Sequence, residues 1–517
     1  MPFLLDRRRY AIFRPMITME RAVTLSTRSL VLCLGILAGL ALMAQAGLGA
    51  PPLVLALSII VAGAGLLAFF ILGAYNVGAW LALVYVGGNL LIALYAKTLM
   101  RQTLDSHLYA PIASFSVLGI STLALLAAVL IAPRLDLGRP IFCGTTNTKV
   151  LVWLSWGCFL LGATFWFVNQ HFQDPRGSGF GGFALLRDLL LMAVIARTAF
   201  ILQSSGDRRT FDPQLALILG VSVFLGLLTN SKTYAAYPVV SYFATLIFFR
   251  RGLAVRHLVS LAVAVFLFVA VLTPLIQAWR YLGIQRIPAA ARVAVIRHGL
   301  ANLFAPGEFQ QYAVLAALDF RSGYYNYFGG TGRGQMLLGR YASVQQIDPV
   351  IAQANSHGTM GGAAIWPAFT RQLPSILYPN KPRFSDAYSI LVHFGLVDPA
   401  GGKFPTLPLA GQAFAGYGFP GVAVISFVVF LGLFIALKKF GWLLHRNVFA
   451  IFVFSEFVVV YGSQGDLAQY VGFILRALPV FTLIFWLLQL GPRLRMHRSS
   501  PARGSVEFTN NAKNAQS

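Results

Sequence analysis

The chain has 517 residues, of which 57% are hydrophobic and only 11% charged. Soluble domains carry roughly 25% charged residues, so this composition excludes an ordinary soluble enzyme and implies a surface that mostly faces lipid. The formal charge of +24 suggests nucleic acid at first, but much of it flanks apolar runs, as membrane topology alone requires, and no nucleic-acid module is present; no nucleic-acid partner is expected.

Lipid offers no hydrogen bonds to a backbone, so apolar runs of about 18 or more residues are expected to be helices. The chain reads as an all-α polytopic membrane protein with about twelve transmembrane helices and one large loop domain before the last three. In chain order, a basic arm (1–26) holds Arg7, Arg8, Arg9, Arg14 and Arg21. Nine spans follow within 27–279, near 27–46, 51–73, 77–96, 109–133, 149–169, 181–203, 213–229, 233–249 and 257–279. A loop domain takes up 280–418. Spans near 419–437, 447–463 and 469–490 make up 419–490, and a basic tail, 491–517, is expected to be disordered. Ala44-Gln45-Ala46 after the first run resembles a signal-peptide cleavage site; the long arm and the immediate next span favour an uncleaved anchor. Cys33, Cys143 and Cys158 form no paired spacing for a disulfide framework or metal site.

Cationic flanks set the orientation. With the arm in the cytoplasm, the turns bearing Arg134 and Arg139, Arg208 and Arg209, Arg250 and Arg251, and Lys438, Lys439 and Arg446 all fall inside, as does the tail. Both termini are then cytoplasmic and 280–418 lies outside. That loop is too long to be structureless. Val293, Ile296, Leu300 and Phe304 recur at helical spacing, which predicts an amphipathic helix near 289–304; a second is expected at 310–319. The loop holds eleven cations against five acids. Two explanations stand: snorkelling to lipid phosphates, or arginine forks for an anionic ligand.

Charges within spans are costly and tend to face a protein interior. Arg187 and Asp188 sit together, Arg197 lies deeper in the same span, and Glu456 and Arg476 lie in the last two. Arg197 and Arg476 are within snorkelling reach of the cytoplasmic side. Asp188 and Glu456 are too short to snorkel, which leaves Glu456 to pair with Arg476 or Arg187, or to serve a proton relay.

No phosphate-binding glycine loop, dinucleotide fingerprint, zinc motif or nucleophile elbow occurs in a fitting context, so no cofactor and no metal is expected. Pro374, Pro379 and Pro382 stiffen the segment "PSILYPNKPR" and hold Tyr378, Lys381 and Arg383 in set positions. "PTLP" and then "AGYGFPG" lead into the next span.

This order, with "PNKP", "PTLP" and "AGYGFPG" over about 370–437, resembles the C-terminal half of bacterial O-antigen or oligosaccharide-repeat-unit polymerases of the Wzy type. The plan of many spans with one large periplasmic loop before the last few is similar too. One departure is Leu373-Pro374-Ser375, where members often carry an arginine beside the first proline; here Arg371 lies slightly upstream. The resemblance implies an inner-membrane glycosyltransferase acting at the periplasmic face, independent of metal and nucleotide. It would move a growing glycan from undecaprenyl pyrophosphate onto the next lipid-linked repeat unit of an O-antigen, capsule or exopolysaccharide, beside a flippase and a chain-length regulator. The expected pyrophosphate-binding residues are Arg286, Arg321, Arg371, Lys381 and Arg383, since the leaving group needs cations. Asp386 or His393 is expected to be the base for the acceptor hydroxyl. The alternatives are the ligase that moves finished O-antigen from the same carrier, a transporter of lipid or polysaccharide, and a structural membrane subunit.

Overall fold

The computed structural model describes residues 23–24, 26–144, 147–171, 185–250, 252–253, 255–281, 289–301, 327–329, 342–373, 378, 386–397 and 406–498. Their elements are α1 (Thr27–Gly47), α2 (Pro52–Leu72), α3 (Val77–Leu99), α4 (Pro111–Ile131), α5 (Thr148–His171), α6 (Leu189–Ser204), α7 (Pro213–Leu228), α8 (Lys232–Arg250) and α9 (255–281). They continue with α10 (Ala289–Ala301), α11 (Ser343–His357), α12 (Trp366–Thr370), α13 (Asp386–His393), α14 (Leu409–Phe440), α15 (448–461) and α16 (467–498). A two-residue antiparallel pairing joins Val23–Thr24 to Gly252–Leu253.

Among the described residues, seven helices are long and apolar enough to cross a bilayer: α1 to α5, α14 and the Leu467–Gln489 part of α16. Three shorter apolar helices, α6, α7 and Val448–Val458 of α15, accompany them. Apart from that short pairing, the elements of the described residues are helices, and the chain is a polytopic membrane protein.

Local chemistry sets where the helices start. Asn76, Asp212 and Asn447 each accept a hydrogen bond from the first turn that follows, and Pro52, Pro111 and Pro213 occupy first-turn positions where a missing N–H costs nothing. Asp466 and Gln469 form a reciprocal capping box at the start of α16. Four π turns widen the bundle helices: Gly87–Leu91 in α3, Phe268–Leu272 in α9, Phe454–Val458 in α15 and Phe473–Ala477 in α16. Such turns concentrate at functional sites, and three of them carry a polar or charged residue, Asn89, Glu456 and Arg476.

The connections gather at two opposite ends. At one end, Leu444 N donates to Tyr75 O (2.8 Å), Val77 N to Trp442 O (2.9 Å) and Ile141 N to Lys439 O (2.8 Å). Lys438 Nζ donates to Pro133 O (2.8 Å) and Leu135 O (2.6 Å), a cation seated at the carbonyl end of α4. Arg250 donates to Asp207 O at 2.8 Å in the same layer. This is the basic end. At the other, Gln45 bridges Thr98, Gln102 and Leu104, and the described parts of 280–408 dock there. Tyr327 donates to Leu104 O (2.7 Å), Ser343 to Ser463 O (3.2 Å) and Met360 N to Ala415 O (2.8 Å). We call this the loop-facing end.

Two features refine what the sequence suggested. Helix α11, within the expected loop domain, is not a surface element: Val344, Ile347, Val350 and Ile351 are fully buried, and it packs on α4 and α14. Helix α14 begins at Leu409, ten residues before 419, and breaks at Tyr417–Gly418, where Gly418 takes φ 62°. The glycines of "AGYGFPG" thus lie inside a kinked helix, and a left-handed residue at the break requires glycine. The helix expected near 289–304 is described as Ala289–Ala301; the one expected at 310–319 lies outside the described residues.

Candidate functional site

Of the residues expected to bind pyrophosphate, Arg286, Arg321, Lys381 and Arg383 lie outside the described residues, as does most of "PSILYPNKPR". The two expected bases, Asp386 and His393, open and close α13. Seven residues apart, they are separated by about 10 Å along the axis. His393 is exposed, with its ring edge-on to Phe394 at 5.1 Å. Among the described residues, no cluster of three or more His, Cys, Asp or Glu is placed to hold a metal.

Arg371 is described and well placed. It follows α12, which packs on the first turns of α16. Gln372 fixes that contact: its Nε2 donates to Ala368 O (3.0 Å) and to Ala468 O (3.1 Å) across the interface. The charges of Arg371 and Arg476 act on one another, and Arg476 also feels Tyr461. Arg476 is exposed and lies within electrostatic range of Arg371. Nine residues into α16, it lies about 13 Å below the start of that helix. Trp366, Phe369 and Leu373 around α12 are exposed at 68, 40 and 44%. Their spacing of three and four residues puts them on one face, in the manner of side chains at a membrane interface.

The second polar feature is buried nearby. Arg187 and Asp188 precede α6, and Glu456 lies in the π turn of α15; Asp188 and Glu456 are 5 and 7% exposed. Asp188 and Glu456 lie in one electrostatic neighbourhood with Arg187, and Asp188 Oδ1 and Glu456 Oε2 have no hydrogen-bond partner among the described residues. Arg187 Nε is 3.7 Å from Asp188 Oδ1, its guanidinium lies over the Tyr234 ring at 3.7 Å, and it donates to the Tyr234 hydroxyl. Tyr237 and Tyr461 add their hydroxyls to the same electrostatic neighbourhood. A small cavity between α5, α6, α7 and α8, with room for roughly one water, is lined by Trp166, Arg187, Asp188, Gly226 and Tyr234. Gly226 makes this approach possible: a Cβ there would sit 2.5 Å from the Tyr234 carbonyl carbon. Glu456 thus shares an electrostatic neighbourhood with Asp188 and Arg187, and Arg476 shares one with Arg371.

Other charges within the bundle have structural partners. Arg197, expected to snorkel, is 7% exposed and forms an ion pair with Asp212, the cap of α7, at the basic end. Lys97, which the sequence reading did not single out, is fully buried near the loop-facing end. It donates to Ser106 O (3.0 Å) and Oγ (2.7 Å) and lies 4.1 Å from the centroid of the Tyr327 ring. It thereby pins 327–328 to the bundle by a cation–π contact. Tyr234, Tyr461 and Trp166 also escaped the sequence reading, since each is one aromatic among 69.

Compared with known proteins, the chain matches no family model, no curated protein and no solved structure.

Proposed function

We propose that the chain is a lipid-linked oligosaccharide polymerase, with about twelve spans, both termini in the cytoplasm and the loop-facing end on the periplasmic side of a bacterial inner membrane. The observation that carries this proposal is the docking of α12, with Arg371 just past its end and exposed aromatics around it, on the first turns of α16, the helix that bears Arg476. Two guanidiniums in range of one another suit a multiply charged pyrophosphate, which accepts their forks in pairs. Their depth suits a ligand whose chain stays in the bilayer. In the proposed reaction, an acceptor sugar hydroxyl attacks the anomeric carbon of the donor glycan. The hydroxyl loses its proton to a base, the new glycosidic bond forms, and the bond from the anomeric carbon to the pyrophosphate oxygen breaks. The electron pair leaves with the lipid pyrophosphate, whose developing charge the arginines stabilise. The motif order around "PNKP" and "AGYGFPG" supports the same function. A flippase that supplies repeat units and a chain-length regulator are the proposed partners.

The test is the surface-glycan profile of a strain lacking the protein, complemented by wild type or by Arg371→Ala, Arg476→Ala. Single repeat units in the deletion strain and in the variant, with long chains restored by wild type, support the polymerase. Accumulated lipid-linked polymer indicates a ligase instead. The buried acids Asp188 and Glu456 favour a second function, proton-coupled transport, because intramembrane acids commonly line ion pathways; unpolymerised repeat units held on the cytoplasmic side would support it.

A further inference from the structure

We propose that the cavity beside Arg187 is a built site for one water molecule, which accepts from Trp166 Nε1 and Arg187 Nε and donates to Asp188 Oδ1.

Unpartnered atoms supply the first step. Trp166 is 4% exposed and Asp188 is 5% exposed. Among the described residues, Trp166 Nε1, Arg187 Nε and Asp188 Oδ1 are buried atoms with no hydrogen-bond partner. Atoms of this kind are normally satisfied by protein or by ordered water. All three residues line the same cavity, together with Ser222 and Thr229. Distance supplies the second step. Arg187 Nε stands 3.7 Å from Asp188 Oδ1, too far for a direct hydrogen bond and in the range where a water bridges two polar groups. The far end of the guanidinium is already committed, since it donates to the Tyr234 hydroxyl. Size supplies the third. The cavity holds about 20 Å³, and one water needs at least about 10–15 Å³. It therefore admits one water and excludes a sugar or a lipid headgroup.

The lining selects the ligand. Two N–H donors and a guanidinium disfavour a metal cation, and the Asp188 carboxyl disfavours an anion. What fits is a small neutral molecule that both accepts and donates, which is water. Its two lone pairs take the N–H groups of Trp166 and Arg187, and one O–H goes to Asp188 Oδ1. The second O–H finds a hydroxyl oxygen. Ser222 Oγ donates to Ile218 O (2.7 Å) and Thr229 Oγ1 donates to Gly226 O (2.6 Å), so each keeps lone pairs free to accept. All four hydrogen bonds of the water are then accounted for. The molecule ties α5, through Trp166, to the start of α6 and to α7, and it supplies the hydrogen bonds that Arg187 and Asp188 do not give each other. The site does not depend on the proposed reaction.

The test is water-edited solid-state NMR of the full-length protein in lipid bilayers, with 15N in the tryptophan indoles. The chain has eight tryptophans, and the indole signal missing from Trp166→Phe belongs to Trp166. The expected result is rapid transfer of magnetisation from water to the Trp166 indole despite its burial. Ser222→Val puts methyl groups into the cavity and removes one acceptor, so the transfer should fall severalfold. A wild-type Trp166 signal that receives nothing from water overturns the proposal. So does a transfer unchanged in a Ser222→Val protein that elutes as wild type, because the indole then meets solvent by another route. If Ser222→Val does not fold, hydroxyl-radical footprinting of wild type decides, since radicals form from bound water as they do from bulk. Trp166 should be oxidised well above Trp279, which is 1% exposed and does not line the cavity; equal oxidation overturns the site. None of these readings uses glycan synthesis, so failure here leaves the polymerase proposal standing, and failure of the polymerase leaves the water site standing.

Discussion

Replacing Asp348 by alanine tests how the loop domain is fastened to the bundle. Asp348 is 1% exposed on α11 and caps a helix distant in sequence. Its Oδ2 accepts from Tyr109 N (2.7 Å), and its Oδ1 accepts from Ala110 N (2.8 Å) and Ser114 Oγ (2.8 Å). These donors crowd the start of α4, where the helix dipole also favours negative charge. Tyr109 is 78% exposed, so its N–H can turn to water, and the Ser114 hydroxyl can rotate to a carbonyl. The Ala110 N–H is left without a partner at a cost of about 1–3 kcal/mol, and the small void adds roughly another 1 kcal/mol. Asp348→Ala is therefore expected to lose about 2–4 kcal/mol, read as a lower denaturation midpoint in detergent.

Asp348→Asn separates charge from shape. Burial pushes the Asp348 carboxyl above its ordinary value, against the pull of its three hydrogen bonds. A raised folded value means that its contribution is fully present below about pH 4, the unfolded value, and is lost as pH rises through the folded value. Asparagine does not titrate, so the advantage of wild type over Asp348→Asn should shrink as pH rises from about 4 toward neutrality. A gap that widens with pH, or an alanine variant within about 0.5 kcal/mol of wild type, refutes the reasoning.

Three further outcomes follow from the packing. Gly226→Val forces a side chain against the Tyr234 backbone and should cost about 1–3 kcal/mol, with a lower thermal midpoint and the loss of any Arg187-dependent property. Asp466→Ala removes the capping box of α16 and should lower stability by about 1 kcal/mol, with the change absent in Asp466→Ser. Cys143 is exposed at the basic end, and Ser356 is exposed in the loop domain. In a Cys33→Ser background, a membrane-impermeant maleimide should label Cys143 and an introduced Ser356→Cys from opposite sides of the membrane; labelling of both from one side contradicts the two-ended arrangement.

The sequence reveals the bundle more readily than the site. Long apolar runs with capping residues at their edges, such as Asp212-Pro213 and Asn76, mark helices because their chemistry is local. Alternating basic turns separate the two ends for the same reason. The contacts that build the site are long-range. Asp188 and Glu456 come into one neighbourhood only because α6 packs on α15, and both were legible merely as costly charges within spans. The π turn around Arg476 adds a residue to one helical turn, which shifts the faces that a regular period assigns. Arg371 was legible through its place beside "PSILYPNKPR", whereas its approach to the helix of Arg476 depends on Gln372 docking α12 against α16. Asp348 looked like one more loop acid, since nothing near it in sequence shows that it caps α4.

The most direct measurement reconstitutes the purified protein in liposomes with synthetic pyrophosphate-linked repeat units and no other enzyme. The account predicts a ladder of longer glycans on the lipid, release of free lipid pyrophosphate in step with each added unit, and loss of both in Arg371→Ala, Arg476→Ala. Repeat units that stay single and carrier that stays bound, with folded wild-type protein present, would contradict it.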